Sequence, residues 1–236
     1  MTLNITFIPA SKDTELLVPI PKPAKNFIPD WYKQIPHPTK DLTFRSAGDV
    51  GSQTIKSCVP FLDAYTNGYI QETWTDIYIS TDKNNETIID YNWAMNPKIL
   101  EHRKNNSGFN KSQNFYDLEF VWFEQWIPKM PKGYSALYTS PLNHFDLPFR
   151  SLDAIIDSDN YYHEYSGKYP FLINKGFTGI IPAGTPMYQI IPIKRDEWSS
   201  TSEKFNEDLN KKRQHYLRKH FINGYKSLFW EKKGFN

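Results

Sequence analysis

Residues 176–195 read GFTGIIPAGTPMYQIIPIKR, two apolar runs on either side of the turn Pro182-Ala183-Gly184-Thr185-Pro186. Each run is too short for a stable helix and is bounded by glycine or proline, so both read as strands. Two prolines bracketing a glycine suit a tight turn whose flanking strands keep their register. Gln189 is the polar exception inside the second run. A buried amide needs partners for its carbonyl and both amino hydrogens, and leaving them unmet costs about 1–3 kcal/mol. Gln189 is therefore expected to bond to backbone or to polar groups around Asp157, as scaffold. The other reading makes the turn the lip of a site in which Gln189 contacts a ligand.

The same grammar extends upstream. YIQETWTDIYIS (69–80) alternates, TDKNNE turns and TIIDYNWAM (87–95) returns, so 69–95 reads as a hairpin. A polar loop at 101–114 leads into NFYDLEFVWFEQWIP, and then come GYSALYTSP, SLDAIIDSD and YPFLIN. Short strands between turn signals, with no interleaved helices, argue against a parallel α/β sheet. The expected class is all-β (β-rich α+β): a distorted jelly roll or β-clip-like antiparallel domain with a proline-rich N-terminal strap, one internal helix and a C-terminal helix.

The strap covers residues 1–40, the β-rich domain 41–198, and the C-terminal helix and tail 199–236, within one structural domain. Prolines at 19, 21, 23, 29, 36 and 38 keep the strap extended, since proline disfavours helix in the residue before it. One helical turn fits PDWYKQ, with Pro29 near its start and Trp31 as the expected buried anchor. Residues 54–67 space Ile55, Cys58, Val59, Leu62 and Tyr65 at helical intervals, with Gly68 as a stop. The single cysteine, Cys58, lies in that apolar pattern and is expected to be buried. A helix is expected from about 201 to 222, opened by Ser/Thr caps, with KKRQHYLRKH as a solvated face.

Composition excludes more than it selects. A formal net charge of +2 forms no nucleic-acid footprint, so nucleic acid is not an expected partner. The N-terminus lacks the basic start and long apolar core of a signal peptide, and no run is long enough to span a bilayer. The expected setting is the cytoplasm or a particle assembled there, not secretion. Aromatics at 16% favour strands and large buried areas, which again supports the β-rich reading.

Catalytic signatures are sparse. His144-Phe145-Asp146 has the His-x-Asp spacing of a two-histidine, one-carboxylate iron site, but a third ligand would have to come from His163, His215 or His220. No metal and no cofactor is expected. No nucleophile elbow and no phosphate-binding glycine loop occurs. The densest polar cluster is 143–164, where Arg150, Asp153, Asp157, Asp159, Tyr161 and Tyr162 surround LDAII. Alternation sends Leu152, Ala154 and Ile156 to one face, and Asp153, Ile155 and Asp157 to the other. Such a group can fix a turn through ion pairs, or read a sugar or nucleotide.

SPLNHFDLPFRSLDAIIDSDNYY, followed by YPFLINKGFTGIIPAGTPMYQIIPIKRDEW, resembles a family of uncharacterised proteins from tailed phages of marine bacteria, with more distant bacterial relatives. The similarity extends upstream through PKPAKNFIPDWYKQIP and TIKSCVPFLDAYTNGY. A local likeness is to deoxyuridine triphosphatases and deoxycytidine triphosphate deaminases, the β-clip pattern of dUTPase and dCTP deaminase. That likeness rests on AIIDSDNYY and PAGTPMYQIIP, and it implies that Asp157 and Tyr161 approach a nucleoside while Gln189 supports the site or the subunit contact. The Asp-rich metal motif, the Arg-Ser-Ser-type phosphate motif and the glycine-rich arm of those enzymes are missing. The expected function is a non-catalytic binding or assembly module, a homo-oligomer. The alternative is a small-molecule or nucleotide-binding enzyme with a dUTPase-like or cupin-like fold, built around Arg150, Asp157, Asp159, Tyr161 and Gln189.

Overall fold

The computed structural model describes residues 3–36, 54–81, 89–103, 108, 113–162, 167–219 and 224–236. The expected turn at 81–86 beyond Thr81 and much of the loop at 101–114 lie outside the described residues, as do His163 and His220.

The chain is β-rich and every strand pairing is antiparallel. One five-stranded sheet runs β11 (Ala154–Ile156), β9 (Tyr134–Thr139), β14 (Pro186–Lys194), β3 (Tyr69–Glu72) and β2 (Lys22–Pro23). A four-stranded sheet runs β10 (Phe149–Ser151), β12 (Lys168–Asn174), β7 (Phe115–Phe123) and β6 (Leu100–His102). A three-stranded sheet holds β13 (Gly179–Ile181), β4 (Ile77–Thr81) and β5 (Ile89–Trp93), and β1 (Thr6–Pro9) pairs with β8 (Trp126–Lys129). Among the described residues the sheets do not close into a barrel.

The turn at 182–186 differs from expectation. Its flanking strands do not pair with each other: β13 belongs to the three-stranded sheet and β14 to the five-stranded one. The expected hairpin at 69–95 divides in the same way, since β4 pairs with β5 while β3 pairs with β14 and β2. The two crossings run side by side, with Ile181 opposite Ile77 and Pro186 opposite Glu72. They form one bent two-stranded ribbon that passes from sheet to sheet. Thr73 binds the corner together: its N–H donates to the Thr185 carbonyl (2.8 Å), its carbonyl accepts from Gly184 N–H (2.7 Å), and its hydroxyl donates to the Pro182 carbonyl (2.7 Å). Gly184 stands at φ +87°, a conformation that costs a side-chain-bearing residue strain. A register shift between Pro186 and Tyr188 sharpens the bend.

Aromatic residues fill the core between the sheets. Trp122 stacks on Phe171 with ring centroids 3.6 Å apart, and Phe149 meets Trp122 edge-on. The Trp122 indole N–H donates to Ser151 Oγ (3.0 Å), which donates on to the Met187 carbonyl (2.7 Å), so no polar cost accompanies this burial. In LDAII the alternation is as expected: Ala154 and Ile156 pack against the core, and Asp153, Ile155 and Asp157 are exposed.

The strap is more structured than an extended run. It contains β1, a short helix α1 (Lys12–Leu17), β2, and the turn α2 (Asp30–Gln34), which begins after Pro29 as expected. Ser11 caps α1 by accepting from Thr14 N–H (3.1 Å), and the Thr14 hydroxyl is buried against Gln125 (2.6 Å). The anchor of α2 is Tyr32, 2% exposed, and not Trp31, which is 39% exposed. Tyr32 packs on Phe61 and Tyr65 of α3 (Val59–Thr66).

That helix is shorter than the sequence pattern suggests. Pro60 stands at its first turn, so α3 begins at Val59, and the preceding residues form a separate 3-10 turn, Ile55–Ser57. The break in phase leaves Cys58 exposed at the cap position rather than buried. Gly68 ends the segment at φ +72°, where a Cβ would lie 2.1 Å from the Ile190 carbonyl oxygen.

The C-terminal region forms two helices, α4 (Glu207–Lys219) and α5 (Gly224–Leu228), where one from 201 to 222 was expected. Asn206 caps α4 by accepting from Leu209 N–H (2.9 Å), so the upstream serines and threonine stay in extended chain. Residues 211–216 are all exposed, in keeping with a solvated basic face. The tail returns to the body: Trp230 Nε1 and Lys233 Nζ both reach Asp63 at 2.9 Å, and Tyr69 donates to the Asn236 carbonyl (3.2 Å). No described helix is long and apolar enough to cross a membrane.

Candidate functional site

The polar cluster of 150–162 is arranged as an ion-pair clasp around Arg195, at the end of β14. The guanidinium donates to Asp157 Oδ1 (3.2 Å), to Ser135 Oγ (3.0 Å), to the Tyr134 carbonyl (3.1 Å) and to Asp159. Asp159 also accepts from Gly133 N–H (2.8 Å), and Asp157 from the Ser135 hydroxyl (2.7 Å). The hydrogen bond from Arg195, then that from Gly133, hold the Asp159 carboxyl below the ordinary carboxylate range. Arg150 lies apart, paired with Asp153 at 3.7 Å, while Thr139 donates to the same Asp153 (2.6 Å). Tyr161 is exposed and its N–H donates to the Asp157 carbonyl (2.9 Å).

Gln189 belongs to a different environment. Its Oε1 accepts from Leu142 N–H (2.8 Å), and its amino group donates to the carbonyls of Ala64 (3.1 Å) and Asn67 (2.5 Å). All three partners are backbone groups, so the amide fastens α3 and the 140–144 loop onto β14. The structure thus brings Asp157 and Asp159 together, with Tyr161 beside them, but directs Arg150 to Asp153 and Gln189 to backbone. Arg195, which organises the clasp, escaped the sequence reading. Its only signal was position, one residue beyond a strand that pairs with β9.

A second buried cluster also escaped it. Glu124 is 5% exposed, accepts a hydrogen bond from the Tyr138 hydroxyl, and lies among the Tyr138, Tyr169 and Tyr188 rings. Burial pushes its carboxyl up to about 7, against the opposing hydrogen bonds from Tyr138 and the Gly167 backbone. The Tyr188 hydroxyl is buried with no hydrogen-bond partner among the described residues.

The surface feature with room for a ligand lies elsewhere, where the bent ribbon meets the strap. An open cleft of about 870 Å³ is walled by Phe27–Trp31 of the strap, by 144–148, and by the corner 180–186. Its side chains are mostly aromatic, proline or aliphatic; Asp30 and Asp146 are its acidic members, and no lysine or arginine lines it among the described residues. The loop carrying His144-Phe145-Asp146 is fixed from below. Asn143 adopts φ +63°, a left-handed conformation that asparagine tolerates better than most. Its carbonyl accepts from the Tyr65 hydroxyl (2.9 Å), and His144 N–H donates to the Pro141 carbonyl (3.2 Å).

The His144 ring meets Tyr65 edge-on at 5.4 Å, and its Nε2 is buried without a hydrogen-bond partner among the described residues. Burial lowers its proton affinity, with Asp146 opposing, so the imidazole is neutral near pH 7. Among the described residues, no three His, Cys, Asp or Glu side chains come together around a common point. Phe145 is 78% exposed at the rim, and Trp31 is half-exposed across from it. The turn at 182–186 therefore borders the cleft, while the Gln189 amide bonds to backbone groups. No protein-family model, curated protein or solved structure matches this chain.

Proposed function

We propose that this chain is a non-catalytic binding and assembly module, and that the cleft receives a cationic peptide segment bearing aromatic or aliphatic side chains. The lining carries the reading: aromatic, proline and aliphatic side chains interspersed with an equal share of polar surface, two carboxylates among it and no basic residue among those described. Apolar surface of this kind favours burial against a partner, and the carboxylates select for positive charge. Outside the cleft, Asp157 and Asp159 are engaged by Arg195, and Asp153 by Thr139 and Arg150. The resemblance to proteins of tailed phages fits an assembly role.

Calorimetric titration with a short peptide alternating lysine and tryptophan tests the reading, beside a control alternating glutamate and tryptophan. The lysine peptide should bind, more weakly as salt rises, and Asp146→Lys should abolish the signal. Equal binding of both peptides, or an unchanged signal in Asp146→Lys, would refute it.

A further inference from the structure

The C-terminal arm is built as a counterpart to this cleft. From Glu207 to Tyr216 every side chain of α4 except Asn210 is exposed. Leu209 and Tyr216 stand seven residues apart on one helix face, with Lys212 and Arg213 between them at the third and fourth positions. Lys211 is paired with Glu207 at 2.8 Å, whereas no described ion pair engages Lys212 or Arg213. An exposed helix face with apolar residues at its ends and cations in its middle matches a groove of aromatic walls with acidic members.

The arm leaves the body at the end of β14 and rejoins it at Asp63. It leaves from the end of β14, nine residues long, whose other end forms the cleft lip, so its point of departure lies roughly 27 Å from that lip. Its far end is fastened by Trp230 and Lys233 to Asp63. No described residue of α4 lines the cleft of its own chain.

We propose that α4 of one copy docks in the cleft of a second copy. Leu209 and Tyr216 pack against Trp31, Phe145 and Ile180, while Lys212 and Arg213 face Asp30 and Asp146. Asp30 exchanges its intrachain partner Lys33, 2.9 Å away and exposed, for the incoming cation. This inference rests on the cleft being the receiving surface, and names its occupant. The contact is head-to-tail, since the donor surface differs from the acceptor surface. Each added copy carries one unused arm and one unused cleft, so assembly closes into a ring or continues as a filament.

The test uses the full chain in sedimentation velocity across about 1–100 µM, with two variants: Tyr216→Asp in the arm and Asp146→Lys in the cleft. The parent should self-associate, and raising salt should weaken association. Each variant alone should assemble about tenfold or more weakly. Mixed one to one, the two variants should form a dimer and nothing larger, because a single intact junction remains between the normal arm of one and the normal cleft of the other. Far-ultraviolet circular dichroism and melting temperature confirm that both variants fold.

A parent that stays monomeric while the lysine–tryptophan peptide binds its cleft overturns the second-copy occupant and leaves the binding reading intact. A monomeric parent that also ignores the peptide overturns both. Assembly that persists in both variants, or mixed variants that fail to pair, places the junction elsewhere and refutes the proposal. So does an arm that binds duplex DNA in place of a second copy.

Discussion

Replacing Glu124 by glutamine should remove a loss of stability between pH 5 and pH 8, and the burial of the carboxyl sets the sign of the effect. The carboxyl is buried, and its proton affinity rises from the ordinary value of 4.5 to about 7. A carboxyl raised in the folded state holds its proton there longer than in the unfolded chain. Its contribution to stability is fully present below about 4.5 and is lost as pH rises through about 7. Each tenfold change in proton affinity corresponds to about 1.4 kcal/mol, so the whole contribution is about 3 kcal/mol, of which about 2–3 kcal/mol disappears between pH 5 and pH 8. Glutamine keeps an acceptor for the Tyr138 hydroxyl and cannot ionise. Urea unfolding of parent and Glu124→Gln at both pH values isolates this one group, because the contributions of His144, Asp159 and all other titrating side chains cancel in the difference. The variant should gain about 2–3 kcal/mol on the parent between pH 5 and pH 8, a midpoint shift of roughly 1 M urea for a chain this long. An equal gap at the two pH values would mean that Glu124 is already ionised in the fold, or reaches water, and the buried-acid reasoning would fail.

Gln189→Leu strands a buried N–H at Leu142 and carbonyls at Ala64 and Asn67, so it should cost about 2–4 kcal/mol and lower the melting temperature by about 5–12 °C. It should leave peptide binding to the remaining folded protein unchanged; a stable variant that loses peptide would move Gln189 into the site. In the strap, Tyr32→Ala should cost about 3–5 kcal/mol in denaturant unfolding by removing a ring packed on Phe61 and Tyr65, whereas Trp31→Ala should cost about 1 kcal/mol and act chiefly on peptide binding. The reverse ranking would show that Trp31 is the structural anchor after all.

The strand grammar was the most legible part of the chain. Alternation in LDAII identified which side chains face the core, and the apolar run at 187–193 became β14, buried along its middle on both faces. Periodicity is a local property, however, and the errors arose where its meaning depends on distant neighbours. The runs beside PAGTP look like a hairpin because a tight turn usually makes one. Whether they pair with each other or cross to separate sheets depends on Thr73, more than a hundred residues away. Cys58 follows the apolar spacing of α3, yet Pro60 resets the helix start and leaves it outside. Trp31 and Tyr32 are adjacent, and the larger ring was the natural anchor; the direction of α2 buries the smaller one. The acidic cluster was recognised as a cluster, but its cation, Arg195, comes from another strand.

The bent ribbon explains why fold and recognition are read from different parts of this chain. At the corner, the backbone groups of Thr73, Gly184 and Thr185 bond to one another, and Ala183 N–H is taken by Asp76 (2.8 Å). A corner that satisfies its own polar groups turns mainly proline and alanine surface toward the cleft, so it supplies shape and little selectivity. In the proposed binding role, discrimination falls to the opposite walls: Asp30 and Trp31 on the strap, and His144, Phe145 and Asp146 on a loop braced by Tyr65. Those walls can change their side chains without disturbing any sheet, because the strap is anchored through Tyr32 and the loop through Asn143 and Gln189. The residues most constrained by folding are therefore not the ones that would choose a partner in the proposed role, and a strand pattern that reveals the architecture says almost nothing about what the cleft would receive.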